Sequence, residues 1–317
     1  MKKFSSVIGS LIVILLLGDS LLSLNNQKEV NDEQINLWIK QLNDSIWRQR
    51  DAAVCALARL KENQKTEKVK IALIDLLKKE VTIEIDGEEY ITTDIPTPGW
   101  EKIADPDERD AECHAHAEYF SFLLDVVADL RDVRTIPILI NFIGGVGSPV
   151  NKALAEIGEP VVDPLIELLD KGGPTGAENA AEILDKMLET KEEGYTPQRE
   201  TRSNIKNALI KALKRNAHPT NPSKEWNEIL EEFTIHSPGV TPDSTAEKWF
   251  ETRIMLKAYA RRDIIRSLSK LADKDLIPLF GDISKNDPYT KKQKDGSIHC
   301  PVREEAQKAI ELIESEE

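Results

Sequence analysis

A single phrase recurs along this chain and limits what it can fold into: a large aliphatic residue followed seven positions later by a proline that opens an aliphatic run. Leu130 precedes Pro137, Ile157 precedes Pro164 and Leu271 precedes Pro278 at that spacing. The prolines sit in Ile136-Pro137-Ile138-Leu139-Ile140, Asp163-Pro164-Leu165-Ile166 and Ile277-Pro278-Leu279-Phe280. Proline lacks an N–H and fixes φ, so it is tolerated in the first turn of a helix and disruptive further in. Each proline therefore marks a helix start, and each aliphatic seven residues earlier marks the end of the preceding helix.

A second pattern recurs at helix ends. Ala56-Leu57-Ala58-Arg59-Leu60, Ala153-Leu154-Ala155-Glu156-Ile157 and Ala309-Ile310-Glu311-Leu312-Ile313 superpose without a gap. Alanine at these places lets two helices approach closely. A period of about 30 residues of paired helices is the mark of stacked helical repeats, in which no pair can bury its face alone. Periodicity and breaker residues predict six pairs, each an A helix and a B helix: 33–42 with 45–61, 66–80 with 107–130, 133–143 with 149–157, 160–171 with 176–190, 199–216 with 245–271, and 273–285 with 301–315.

On these residues the chain resembles the HEAT-repeat family, above all its short-repeat branch. The closest segment runs from Ser148-Pro149-Val150 through Ala153-Leu154-Ala155-Glu156-Ile157-Gly158-Glu159-Pro160 to Pro164-Leu165-Ile166-Glu167-Leu168-Leu169. The resemblance implies an all-α fold, an α-solenoid of about six antiparallel helix pairs over residues 32–317, carrying small β-hairpin insertions. Some short HEAT-repeat proteins resemble subunits of phycobilin lyases, so a lyase-type enzyme or accessory subunit is the alternative it implies. No thiol or acid here maps onto such a family's catalytic motif, and no catalytic residue is carried over.

Composition agrees with a helical chain. Of 317 residues 40% are hydrophobic and only 5% aromatic, with helix formers dominant, which argues against an all-β fold. The formal charge of -14 repels nucleic acid and anionic lipid, so contact with either would need a local patch. At the amino terminus Lys2 and Lys3 precede the apolar run Val7 to Leu17 and then Gly18-Asp19-Ser20. This is the order of a secretory signal peptide, read over residues 1–23 with a linker at 24–31. Asp19 interrupts the run and leaves it short of the ~20 apolar residues that span a bilayer. The expectation is an exported protein, periplasmic, secreted or envelope-associated, held at a membrane only if the segment is left uncleaved. Three cysteines, Cys55, Cys113 and Cys300, are too few and odd in number for a disulfide framework. Placing Cys55 and Cys113 on paired B helices staggers them by about 18 Å along the axis, beyond disulfide reach.

Three A-to-B turns carry insertions. Residues 82–92, Thr-Ile-Glu-Ile-Asp-Gly-Glu-Glu-Tyr-Ile-Thr, read as a β-hairpin with a glycine turn, followed by a proline loop bearing Trp100. The fifth pair inserts a short helix with Trp226 and Phe233, and the sixth inserts Tyr289 to His299, with Lys294-Asp295-Gly296-Ser297 as a second hairpin turn. Insertions on one face of a repeat protein are often where it binds, although loops also tolerate added length cheaply. Tyr90, Trp100, Trp226 and Tyr289 are the candidate interface residues, being aromatics of the kind enriched at interface centres.

Other constellations carry less. Cys113-His114-Ala115-His116 has ligand chemistry for zinc, but residues one and two apart on a helix point in different directions, and no metal site is assigned. Gly144-Gly145-Val146-Gly147-Ser148-Pro149 opens a helix without the lysine and serine or threonine of a phosphate loop, so no cofactor is assigned either. The fifth pair departs from the overall acidity through Arg199, Arg202 and Lys206 on its A helix and Arg253, Lys257 and Arg261 on its B helix. The favoured reading is that Glu225, Glu228, Glu231 and Glu232 of the insertion neutralise this patch. If they do not, it would attract an acidic partner or an anionic envelope polymer. The sequence thus predicts a non-catalytic exported scaffold or adaptor whose partner is another protein and not nucleic acid.

Overall fold

A computed structural model describes residues 30–93, 97–144, 148–188, 198–218 and 246–315. The signal segment, Trp226, Phe233 and the four glutamates of the fifth insertion lie outside the described residues. Of the described residues 75% are helical, and the fold is all-α with two small two-stranded sheets.

In chain order the elements are α1 Asp32–Gln41, α2 Trp47–Ala58, α3 Glu67–Val81, β1 Thr82–Ile85, β2 Glu88–Ile91, α4 Pro106–Asp129, α5 Ile136–Leu139, α6 Pro149–Ile157, α7 Val162–Lys171, α8 Gly173–Leu188, α9 Arg199–Arg215, α10 Ala246–Ser269, α11 Ile277–Asn286, β3 Lys291–Lys292, β4 Ile298–His299 and α12 Pro301–Ser315. The marker prolines occupy the opening turns of α5, α7 and α11. Each of these helices is entered through a 3-10 turn, Val133–Thr135, Glu159–Val161 and Lys274–Leu276. Asp132 and Asp273 cap two of the turns by accepting from Arg134 N and Asp275 N at 3.0 Å, the usual work of a short acceptor side chain ahead of a helix.

One predicted helix is shorter than its pattern. The stretch 133–143 forms a single α turn, α5, and continues as a 3-10 turn at Ile140–Phe142. The Asn141 amide donates to the carbonyl oxygen of Pro137 at 2.8 Å, a side-chain bond that competes with helix propagation, and isoleucines at 136, 138 and 140 are stiff at χ1.

The chain divides into two compact units, Met1–Leu77 with Thr97–Leu123, and Lys78–Pro96 with Leu124–Glu317. In the first, α1 packs on α2, and Val54, Leu57, Leu77 and Leu123 are fully buried. In the second, a continuous core runs through Leu139, Leu154, Leu165, Ile183, Ile205, Ile264 and Phe280. There α5 packs on α6, α7 on α8, α9 on α10 and α11 on α12; in addition α6 meets α8, α8 meets α10, α10 meets α12, and α7 meets α9. Alanine makes the close approaches possible: Ala177, Ala180 and Ala181 of α8 and Ala258 and Ala260 of α10 are fully buried.

Candidate functional site

The two hairpins form where their turn residues predict. In β1–β2 the chain reverses at Asp86 and Gly87, both at positive φ (55° and 82°), as the Asp-Gly turn of a tight hairpin requires. The register sets Ile83 opposite Tyr90 and Ile85 opposite Glu88. Directly opposed residues share a face, as do residues two apart on a strand. Ile83, Ile85, Glu88 and Tyr90 therefore form one face, and Thr82, Glu84, Glu89 and Ile91 the other. The second face is the anchored one: Glu89 pairs with Lys78 at 3.4 Å, and the Thr82 hydroxyl donates to the Lys78 carbonyl at 2.7 Å. The first face is open, with Ile83, Ile85 and Tyr90 all exposed, Ile85 by 51%. The Tyr90 hydroxyl donates to Glu88 at 2.8 Å, and that bond raises the tyrosine pKa.

Trp100, in the first unit, opens a 3-10 turn after Gly99 and is 41% exposed, with the Arg109 guanidinium 5.9 Å above its ring. Trp226 lies outside the described residues. Tyr289 is only 9% exposed and meets Tyr259 edge-on at 6.5 Å. Its position follows from Asp287, whose carboxylate accepts from the Tyr289 amide at 3.0 Å and turns the chain inward. Burial raises the Tyr289 pKa above the ordinary tyrosine value.

The six cations of the fifth pair are not a common surface. Arg253, Lys257 and Arg261 are buried, Arg261 to 3%. Arg261 holds Asp287 through two hydrogen bonds of 2.8 and 3.0 Å and donates to the Asn216 carbonyl at 2.8 Å. Lys206 pairs with Asp273, whose pKa the ammonium lowers. Arg202 donates to the Leu271 carbonyl at 3.4 Å, and Arg199 is exposed. The acids that match these charges, Asp273 and Asp287, stand in the turns before and after α11. Their distance along the chain hid them from sequence reasoning.

The Cys113 to His116 run disperses around α4 as helical spacing requires. His114 is exposed and pairs with Glu118 at 3.2 Å. His116 is buried, with its ring 5.3 Å from Trp47 and 5.6 Å from Tyr119. Glu112, one turn earlier, accepts from the Trp47 indole at 2.9 Å and pairs with Arg48. Among the described residues no three His, Cys, Asp or Glu side chains converge as metal ligands, and all three cysteines are free thiols. The buried Asn151 receives the Gly144 N–H at 3.3 Å and donates to its carbonyl at 2.7 Å, so this glycine's polar groups are occupied within the fold. An open cleft of about 430 Å³ runs between α7 and α9, lined by Asp163, Ile166, Asp170, Asn204, Asn207, Ala208 and Lys211. Lys211 of α9 and Asp170 of α7 form an ion pair across it at 2.7 Å.

No helix among the described residues is long and apolar enough to cross a membrane. No family model matches the chain, and no curated protein matches it.

Proposed function

We propose that the protein is an exported, non-catalytic scaffold, a HEAT-like α-solenoid that binds another protein through its inserted turns. The order of helix contacts in the second unit supports the solenoid reading. Within pairs α5–α6, α7–α8, α9–α10 and α11–α12, A packs on B; between pairs, B follows B through α6, α8, α10 and α12, and A follows A from α7 to α9. A row of B helices in contact, with A helices packed along it, is how stacked helix pairs bury a common core.

The observation that carries the binding reading is the open face of β1–β2. Three large apolar side chains, Ile83, Ile85 and Tyr90, stand exposed together on a hairpin whose opposite face is already tied to Lys78. Exposed apolar groups clustered on an inserted element mark interaction surfaces. An anion-binding surface at the fifth pair draws less support, since Lys206 and Arg261 are matched by Asp273 and Asp287.

The test is capture from native envelope extract, with the protein as its host processes it used as bait against an Ile83→Asp plus Tyr90→Ala variant. Proteins held by the parent and released by the variant support the reading. Identical capture by both, or capture of nothing specific by either, overturns it.

A further inference from the structure

The second hairpin has the same construction as the first, with the opposite charge. Its register sets Lys291 opposite His299 and Lys292 opposite Ile298. The Lys291–His299 face is anchored: Lys291 Nζ donates to the Tyr259 hydroxyl at 3.1 Å, and His299 Nε2 lies 2.9 Å from Glu304. The other face carries Lys292 and Ile298 outward, and Ile298 is 70% exposed. The turn is held by Gly296 at φ 85° and by Asp295, which accepts from the Ser297 amide and hydroxyl at 2.9 and 2.7 Å. Lys292 and Lys294 are exposed and make no ion pair among the described residues.

Charge separates the two insertions cleanly. Residues 82–92 hold Glu84, Asp86, Glu88 and Glu89 with no basic residue, whereas residues 290–299 hold Lys291, Lys292 and Lys294 against Asp295 alone. Each outward face joins its charge to aliphatic surface, Glu88 beside Ile83 and Ile85 on one, Lys292 beside Ile298 on the other. Each sheet has only two strands, so every strand is an edge with unpaired backbone groups open to another chain.

We propose that the occupant of the first hairpin's open face is the second hairpin of another copy of this chain. The contact sets Glu88 against Lys292 and packs Ile298 onto Ile83 and Ile85. It is heterologous: each copy offers an acidic hairpin to one neighbour and a basic hairpin to another, so copies join head to tail, closing into a ring or extending as an open chain. Two hairpin faces bury an area at the small end of specific interfaces, and copies of net charge -14 repel one another at long range. The association is therefore weak and concentration-dependent. The inference concerns the surface assigned above to a protein partner and names that partner as the chain itself.

Sedimentation velocity over a concentration series tests it, on the protein as its host processes it. The parent is expected to sediment faster as concentration rises. Glu88→Lys and Lys292→Glu, exposed substitutions checked for parental circular dichroism, are each expected to weaken association about 10-fold or more. An equimolar mixture of the two variants is expected to restore it, because the intact acidic hairpin of one meets the intact basic hairpin of the other, and the two reversed hairpins also match. That rescue separates a specific contact from damage to the fold. A parent that sediments identically at all concentrations, association that survives both reversals, or a mixture that stays dissociated each overturns the proposal. If extract capture succeeds where self-association fails, the partner surface stands and its occupant is another protein.

Discussion

Three turns place a residue at positive φ six positions before a marker proline: Arg131 at 50°, Gly158 at 83° and Ala272 at 50°. Each follows the aliphatic of the proline phrase, Leu130, Ile157 or Leu271, and leads the chain into the 3-10 turn that opens the next helix. The left-handed conformation costs an L-residue about 1–2 kcal/mol. Replacing Ala272 with glycine removes that strain while increasing the freedom of the unfolded chain. Ala272→Gly is expected to raise stability by about 0.5–1 kcal/mol, read from the midpoint of urea unfolding. The opposite change is costlier at Gly158, whose ψ of -134° with positive φ belongs to a region open essentially to glycine alone. Gly158→Ala is expected to lose roughly 1–3 kcal/mol in the same measurement. The proline phrase was legible in the sequence, but the strained residue six before it was not. Arginine, glycine and alanine share no chemistry, and only the common backbone reveals the position.

At the scale of elements, Asp287 is the point where four segments meet. It binds Arg261 of α10 and the Tyr289 amide ahead of β3, while its carbonyl accepts from Arg303 of α12; Arg261 in turn reaches the end of α9 at Asn216. Both partners of the pair are buried, so removing one leaves an uncompensated charge away from water. Asp287→Ala is expected to cost about 3–5 kcal/mol, whereas Glu167→Ala, which breaks the exposed pair with Lys171, is expected to leave stability nearly unchanged. Chemical denaturation of the two variants side by side measures the contrast, and equal losses would contradict it. The hairpins were legible because Asp-Gly and Asp-Gly-Ser turns between alternating residues are local signals. Burial of Tyr289 was not legible: an aromatic in an inserted turn reads as exposed until the carboxylate that folds the turn inward is located.

Across the second unit, a row of ionisable side chains crosses the successive B helices. Glu182 of α8 pairs with Lys186 at 2.8 Å and contacts Asn151 of α6 at 3.3 Å. On α10, Asp263 binds Arg262 at 2.7 Å and Arg266 at 3.3 Å, and Arg266 reaches Glu305 of α12 at 3.0 Å. Glu178 of α8 stands in this row with its pKa raised, first by burial and then by the Asp263 carboxylate, while Arg262 acts in the opposite direction. A carboxyl whose pKa is higher folded than unfolded binds extra protons in the native state, so its contribution to stability falls as pH rises from the ordinary value of 4.5 through the raised one. At pH 7 the charged form opposes folding. Glu178→Gln is expected to stabilise the protein at neutral pH, with the gain shrinking as pH falls through the raised pKa and vanishing below 4.5; thermal unfolding across that range checks it, and a gain independent of pH would refute the assignment. The sequence by itself determined the all-α class, the helix starts and both hairpins, because prolines, aliphatic spacing and turn residues act within a few positions along the chain. Only the tertiary structure decided which charges are displayed and which are buried. Asp273 and Asp287 meet Lys206 and Arg261 across 67 and 26 residues of sequence, and burial is a property of what packs around a side chain, which no local pattern encodes.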